Sequence, residues 1–254
     1  MPEIHILQLT SAIFVGLASG YLGSFMILKH MALVGDALSH VALPGVALAL
    51  LFNINPFLGA FATLLIGIIG IWLIEHKTEL PVESVVGLFF TISLALGVLI
   101  TPDEHLVEAL FGDISAISAF DTALAIAISL VVIWGMRSIS KGFILGTISS
   151  DLARASGIKV AKNNFVFMLL VAFVVALGIK AVGTLLMGAL VIIPAIASKN
   201  FASSMAGYTK ISAIMGLVSL VGGILLASVF NLPPGPIAVL VSASIFLITL
   251  VFKK

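Results

Sequence analysis

The chain has 254 residues, 61% of them hydrophobic and 9% charged, and a net charge of +1. Soluble domains carry about a quarter charged residues, so this composition excludes a water-soluble enzyme or binding module and leaves a polytopic membrane protein. The absence of cysteine excludes disulfides, thiolate metal sites and a cysteine nucleophile, and the near-zero charge gives no electrostatic footprint for nucleic acid.

The N-terminal residues Met1-Pro-Glu-Ile-His5 lack a basic region and a cleavage signal, so the first apolar run is expected to stay as a membrane helix. Runs long enough to span a bilayer, about 17–25 residues each, follow at 8–28, 31–52, 56–75, 84–101, 118–136, 211–230 and 236–252. The block 164–198 is interrupted by Lys180 and Gly183 and reads as two shorter crossings, 164–180 and 183–198, joined by a tight turn. The expected fold is an all-α membrane helix bundle of about nine transmembrane helices, or eight if that turn does not form. No polar stretch is long enough to bury a core of its own, so residues 1–254 are expected to make one transmembrane domain.

With nine crossings, every lysine and arginine except Lys180 falls on one side. The positive-inside rule then places the N-terminus outside and the C-terminus in the cytoplasm. Lys180 is expected to reach the outer surface with its long side chain. The loop 101–118 is external and acidic, with Asp103, Glu104, Glu108 and Asp113 around His105. It reads either as a funnel that concentrates cations or, more blandly, as a solvated loop. The basic segment 137–163 is the longest cytoplasmic one, and Ser150-Asp-Leu-Ala-Arg-Ala-Ser-Gly157 carries the start and stop signals of a short helix. Small residues at helical spacing, as in Gly16-Leu-Ala-Ser-Gly20, point to ordinary close packing in the bundle. His5, His30 and His76 fall at helix ends and suggest no role.

Asp36 and His40 stand apart from all of these. They interrupt the second apolar run, Met31-Ala-Leu-Val-Gly-Asp-Ala-Leu-Ser-His-Val-Ala-Leu-Pro-Gly45. Ionisable groups inside hydrocarbon are costly unless they face a cavity, a partner or an ion. At i and i+4 they share one helix face, and oxygen with nitrogen suits a first-row divalent metal. His40 lies about 14 Å along this helix, near the middle of a hydrocarbon core about 30 Å thick. Pro44 removes the N–H that the His40 carbonyl would accept from, and Gly35 and Gly45 permit close backbone approach. Three readings stand open at this point: a metal pathway, a hydrogen bond that ties helices together, and a proton relay. One chain supplies two strong ligands where Zn²⁺ takes four and Mn²⁺ about six, so a symmetric dimer is implied by the metal reading. No G-x-x-x-x-G-K-[ST], H-E-x-x-H or G-x-S-x-G string occurs, which argues against an ATPase, an intramembrane zinc protease and a serine hydrolase.

The 31–45 string resembles the G-D-A-x-S-H-x-x-L-P-G signature of the zinc/manganese permease family of ATP-binding-cassette (ABC) importers. Three further stretches agree in order: Leu110-Phe-Gly-Asp113, Asp151-Leu-Ala-Arg-Ala-Ser-Gly-Ile-Lys159 with compressed spacing, and Val182-Gly-Thr-Leu-Leu-Met-Gly-Ala-Leu-Val-Ile-Ile-Pro194. The resemblance covers essentially the whole chain. It implies a type II importer permease in the cell membrane, not itself an enzyme and without a tightly bound cofactor. Its substrate would be a divalent metal ion, zinc or manganese, with iron accepted by the same ligand types. It further implies a homodimer, a separate cytoplasmic ATPase subunit and an extracytoplasmic metal-binding protein. Asp36 and His40 align with the polar pair of the ion path. The coupling segment falls near 149–159, with Asp151, Leu152, Ala155 and Gly157 as the residues expected to meet the ATPase. The rival readings are a permease for a chelate such as cobalamin or a siderophore, and a non-transporting membrane scaffold.

Overall fold

The protein is described here from a computed structural model covering residues 6–78, 80–101, 109–112, 114 and 117–251. The elements are α1 (Ile6–Leu28), α2 (Ala32–Val41), α3 (Leu43–Leu51), α4 (Pro56–Lys77), α5 (Val82–Ile100), α6 (Ala119–Ile148), α7 (Ser150–Ala155), α8 (Val160–Val182), α9 (Met187–Lys199), α10 (Met205–Phe230) and α11 (Pro234–Val251). The described residues hold eight spans long and apolar enough to cross a membrane, α2 and α3 together making one, plus the shorter apolar α9. The all-α bundle is therefore as the sequence reads, and the ninth segment is the short one. Its 13 residues extend about 20 Å, less than the hydrocarbon thickness of about 30 Å.

The residues before α9 solve a backbone problem. At 183–186 the chain is not helical, and a membrane tolerates such backbone only where protein satisfies it. The Thr184 N–H and Oγ1–H both donate to the Ala109 carbonyl, at 3.2 and 3.0 Å, and the Leu185 N–H donates to the Leu110 carbonyl at 3.1 Å. Gly183 and Gly112, both at positive φ, let the two strips touch; a side chain on Gly183 would strike the Leu110 carbonyl. Two of the four motif stretches quoted above are thus clamped together, and the clamp fixes where α9 begins.

Several boundaries differ from the sequence reading. The span expected at 118–136 continues as one helix to Ile148, so Arg137 and Lys141 lie on α6 and not in a loop. At 30 residues α6 is about 45 Å long, half again the hydrocarbon thickness. A charge ends a hydrophobic run, but it does not end a helix. Likewise Lys162 lies on α8 and Lys210 on α10. The start of α6 is set by a capping box: the Ser118 side chain accepts from the Asp121 N–H, and Asp121 accepts from the Ser118 N–H.

The centre of the bundle is formed by α1, the α2–α3 pair and α8, which are mostly buried, whereas few residues of α5 and α11 are buried. The Gly16 and Gly20 pair serves packing within the chain. A Cβ on Gly16 would come within 2.8 Å of the Gly216 carbonyl oxygen, and one on Gly20 would strike the Ser212 carbonyl. With no hydrophobic gain available between helices in lipid, such close backbone approach is what holds α1 against α10. Trp134, Leu99 and Val251 are among the exposed large apolar side chains, as expected where the solvent is hydrocarbon.

Candidate functional site

The helix break at the site lies at Ala42. α2 stops at Val41, α3 starts at Leu43, and Pro44 occupies the first turn of α3, where a missing N–H costs nothing. Gly45 lies against the Gly59 carbonyl of α4, where a side chain would collide. The break thus lets α3 close onto α4 while α2 lies between α5 and α9.

His40 is only 8% exposed, and its Nδ1 is buried without a hydrogen-bond partner. Its ring meets Phe90 of α5 edge-on, with centroids 5.2 Å apart and planes at 77°. Asp36 is half-buried, and the backbone of α9 lies directly on it: a Cβ on Gly188 would come within 2.5 Å of Asp36 Oδ1 and 2.7 Å of its Cα. The neighbouring Ser39 hydroxyl donates to the Asp36 carbonyl at 2.6 Å. It is therefore committed to the backbone rather than to His40. Buried polar atoms are ordinarily satisfied, so the orphaned imidazole nitrogen is the feature of this region that asks for a ligand. Among the described residues no third His, Asp or Glu joins the pair.

The other residues singled out by sequence fall elsewhere. Asp103, Glu104, His105, Glu108 and Asp113 lie outside the described residues. In the segment 149–159, α7 is a short helix capped by the Ser149 hydroxyl, which accepts from the Leu152 N–H. It ends at Gly157, whose positive φ allows the Gly157 and Ile158 N–H groups to reach the Arg154 and Ala153 carbonyls. Ala153 is fully buried, while Asp151, Leu152, Arg154 and Ala155 face outward. The helix thus offers an apolar and a basic contact on one exposed side, and Leu152 is 55% exposed.

Lys180 differs from expectation. Its Nζ donates to Asp121 Oδ2 at 2.6 Å, and the two side chains are only 20% and 9% exposed. Asp121 also accepts from Asn55 Nδ2 at 2.8 Å and from the Ser118 hydroxyl at 2.6 Å. A half-buried cation gains more from a carboxylate already held by three other donors than from stretching to water. This network joins α4, α6 and α8 at one end of the bundle. Sequence reading passed over Asp121 because it stands alone in an apolar run; an acidic residue in a span is itself the signal that a partner exists.

Comparison with known proteins fits this architecture. The model of the ABC 3 transport family matches residues 3–253. The chain belongs to the ABC 3 transport family. Across 98% of its length it is 33% identical to the manganese import system permease protein ScaB of Streptococcus gordonii, covering 92% of that protein. It is equally 33% identical to the high-affinity zinc uptake system membrane protein ZnuB of Haemophilus influenzae, with 100% of this chain and 99% of that one aligned. Among solved structures it resembles PsaBC from Streptococcus pneumoniae, determined in complex with Fab, with a TM-score of 0.84 and 30% identity over 95% of this chain and 89% of that one. As an ABC 3 family member of multi-pass architecture, it is a membrane protein whose own sequence carries no phosphate loop.

Proposed function

We propose that this chain is the permease subunit of an importer that carries a divalent metal ion, manganese or zinc, into the cytoplasm, driven by ATP hydrolysis on a separate subunit. The observation that carries the reading is the Asp36–His40 pair on one face of α2, with a buried and unpartnered imidazole nitrogen, in a chain whose relatives are named for manganese import and zinc uptake. Asp36 and His40 are the ion's ligands. The site they make in one chain is incomplete, and a second copy related by two-fold symmetry doubles it to four ligands. A site with few strong ligands releases its ion readily, which a pathway needs and a storage site does not. The acidic residues 103–108 belong, on this reading, to the external side, where an extracytoplasmic metal-binding protein delivers the ion. Energy enters through α7, whose exposed face docks on the ATPase. The test is uptake by cells in which the gene for this chain has been deleted and restored. Restored accumulation of manganese or zinc supports the reading, and equal accumulation with and without the chain rejects it. The chelate-permease alternative predicts instead that cobalamin or siderophore uptake follows the chain.

The orientation that goes with this function has the N-terminus outside and the C-terminus in the cytoplasm, with α7 on the cytoplasmic face. The native chain has no cysteine, so single cysteines can be placed on a clean background. Leu232 and Ser203 are both exposed, in the α10–α11 and α9–α10 connections respectively. A cysteine at Leu232 should react with an impermeant maleimide in intact cells. One at Ser203 should react only after the membrane is opened. Labelling of both in intact cells would reject the orientation.

A further inference from the structure

The two ligands proposed above touch different neighbours, and neither neighbour is a ligand. Asp36 lies under Gly188 in the first turn of α9; His40 lies against Phe90 in the middle of α5. α9 is not free to move away from Asp36, because its start is tied to residues 109 and 110 by the Thr184 and Leu185 hydrogen bonds. A side chain at 188 must therefore displace the carboxylate or strain the clamp. On the other ligand, metal-binding imidazoles ordinarily have their orientation fixed by a hydrogen bond from the second nitrogen. Neither His40 ring nitrogen hydrogen-bonds to another described residue, so whichever one meets the ion, packing against the Phe90 ring is left to fix the imidazole plane.

We propose that Gly188 and Phe90 are positioning residues that set which divalent ions the Asp36–His40 pair accepts, Gly188 through the carboxylate and Phe90 through the imidazole. This rests on the metal-path reading. The two contacts act on ligands of different chemistry, so they should tune selectivity in opposite senses. Imidazole nitrogen suits zinc, whereas carboxylate oxygen suits manganese. Loosening His40 weakens zinc more, and displacing Asp36 weakens manganese more.

The experiment measures manganese and zinc uptake separately and in competition, in cells carrying the full chain with its own ATPase and binding protein. Outer-sphere supports of metal ligands are worth about 10–100-fold in affinity. Phe90→Ala should therefore raise the half-saturating zinc concentration by about 10-fold or more and shift the uptake ratio toward manganese. Phe90→Tyr keeps the ring and should stay near the wild-type ratio. Gly188→Ala should raise the half-saturating manganese concentration and shift the ratio toward zinc. A merely structural role lowers uptake of both ions together without changing half-saturation, and that result overturns the inference. Unchanged uptake in Phe90→Ala overturns it equally. If Gly188→Ala fails to accumulate in the membrane, Phe90→Ala against Phe90→Tyr decides. Should Asp36→Ala and His40→Ala transport normally, the metal path itself is wrong. Should those two fail while the positioning variants keep the native ratio, only this inference falls.

Discussion

Asp36→Ala and His40→Ala should each abolish metal uptake while the protein still accumulates in the membrane. Removal of outer-sphere supports alone costs about 10–100-fold in metal affinity, so loss of a ligand itself should cost more than ~100-fold. The structure indicates why folding should survive. Among the described residues, no hydrogen bond or ion pair leaves the Asp36 carboxylate or the His40 ring for another helix, so truncation leaves no buried partner stranded. α2 is instead held by close contacts of its backbone and apolar side chains, such as Gly188 on Asp36 and the fully buried Leu38. The measurement is initial-rate uptake of manganese and zinc, normalised to the amount of protein in the membrane. Normal uptake by both variants rules out the ion-path assignment. Loss of folded protein in both would instead favour the reading in which the pair merely ties helices together.

Replacement of Ala155 by Glu should uncouple ATP hydrolysis from transport. Ala155 closes α7, a helix that spends one residue, Ala153, on packing and turns Asp151, Leu152, Arg154 and Ala155 outward. A glutamate there adds bulk and a charge that docking would have to strip of water. Disrupting a central interface residue typically costs about 2 kcal/mol or more, roughly 30-fold in affinity. Uptake should fall by a similar factor, and the reconstituted complex should lose stimulation of its ATPase by metal-loaded binding protein. Asp36 and His40 lie on a different helix and should be unaffected. Unchanged stimulation together with unchanged uptake would place the coupling surface elsewhere on the cytoplasmic face.

Most of the architecture is readable from the chain because its signals are local. Apolar runs of spanning length give the crossings, since a bilayer allows little else. The i, i+4 spacing of Asp36 and His40 puts both on one helix face whatever packs around them. The serines, acidic residue and glycine of 149–157 mark α7, although the cap is Ser149 rather than a later residue. The misplaced edges share one cause. Arg137, Lys141, Lys162 and Lys210 read as loop because they are charged, yet all lie on helices that continue past the apolar run.

Sequence by itself determined that the chain is an all-helical membrane protein with an ionisable pair in its second span, and its motif strings pointed to the family. It did so because hydrophobic length and helical periodicity involve only neighbours along the chain. Tertiary structure alone decided what touches that pair and what pins the helix against it. Gly188 is 152 positions from Asp36 in sequence and becomes its neighbour in a bundle where Thr184 and Leu185 are clamped to Ala109 and Leu110. Lys180 likewise finds Asp121, 59 positions away, in place of the outer surface. Such pairings are chosen by where unsatisfied backbone and buried charge find partners in a packed bundle, and no local pattern records that choice.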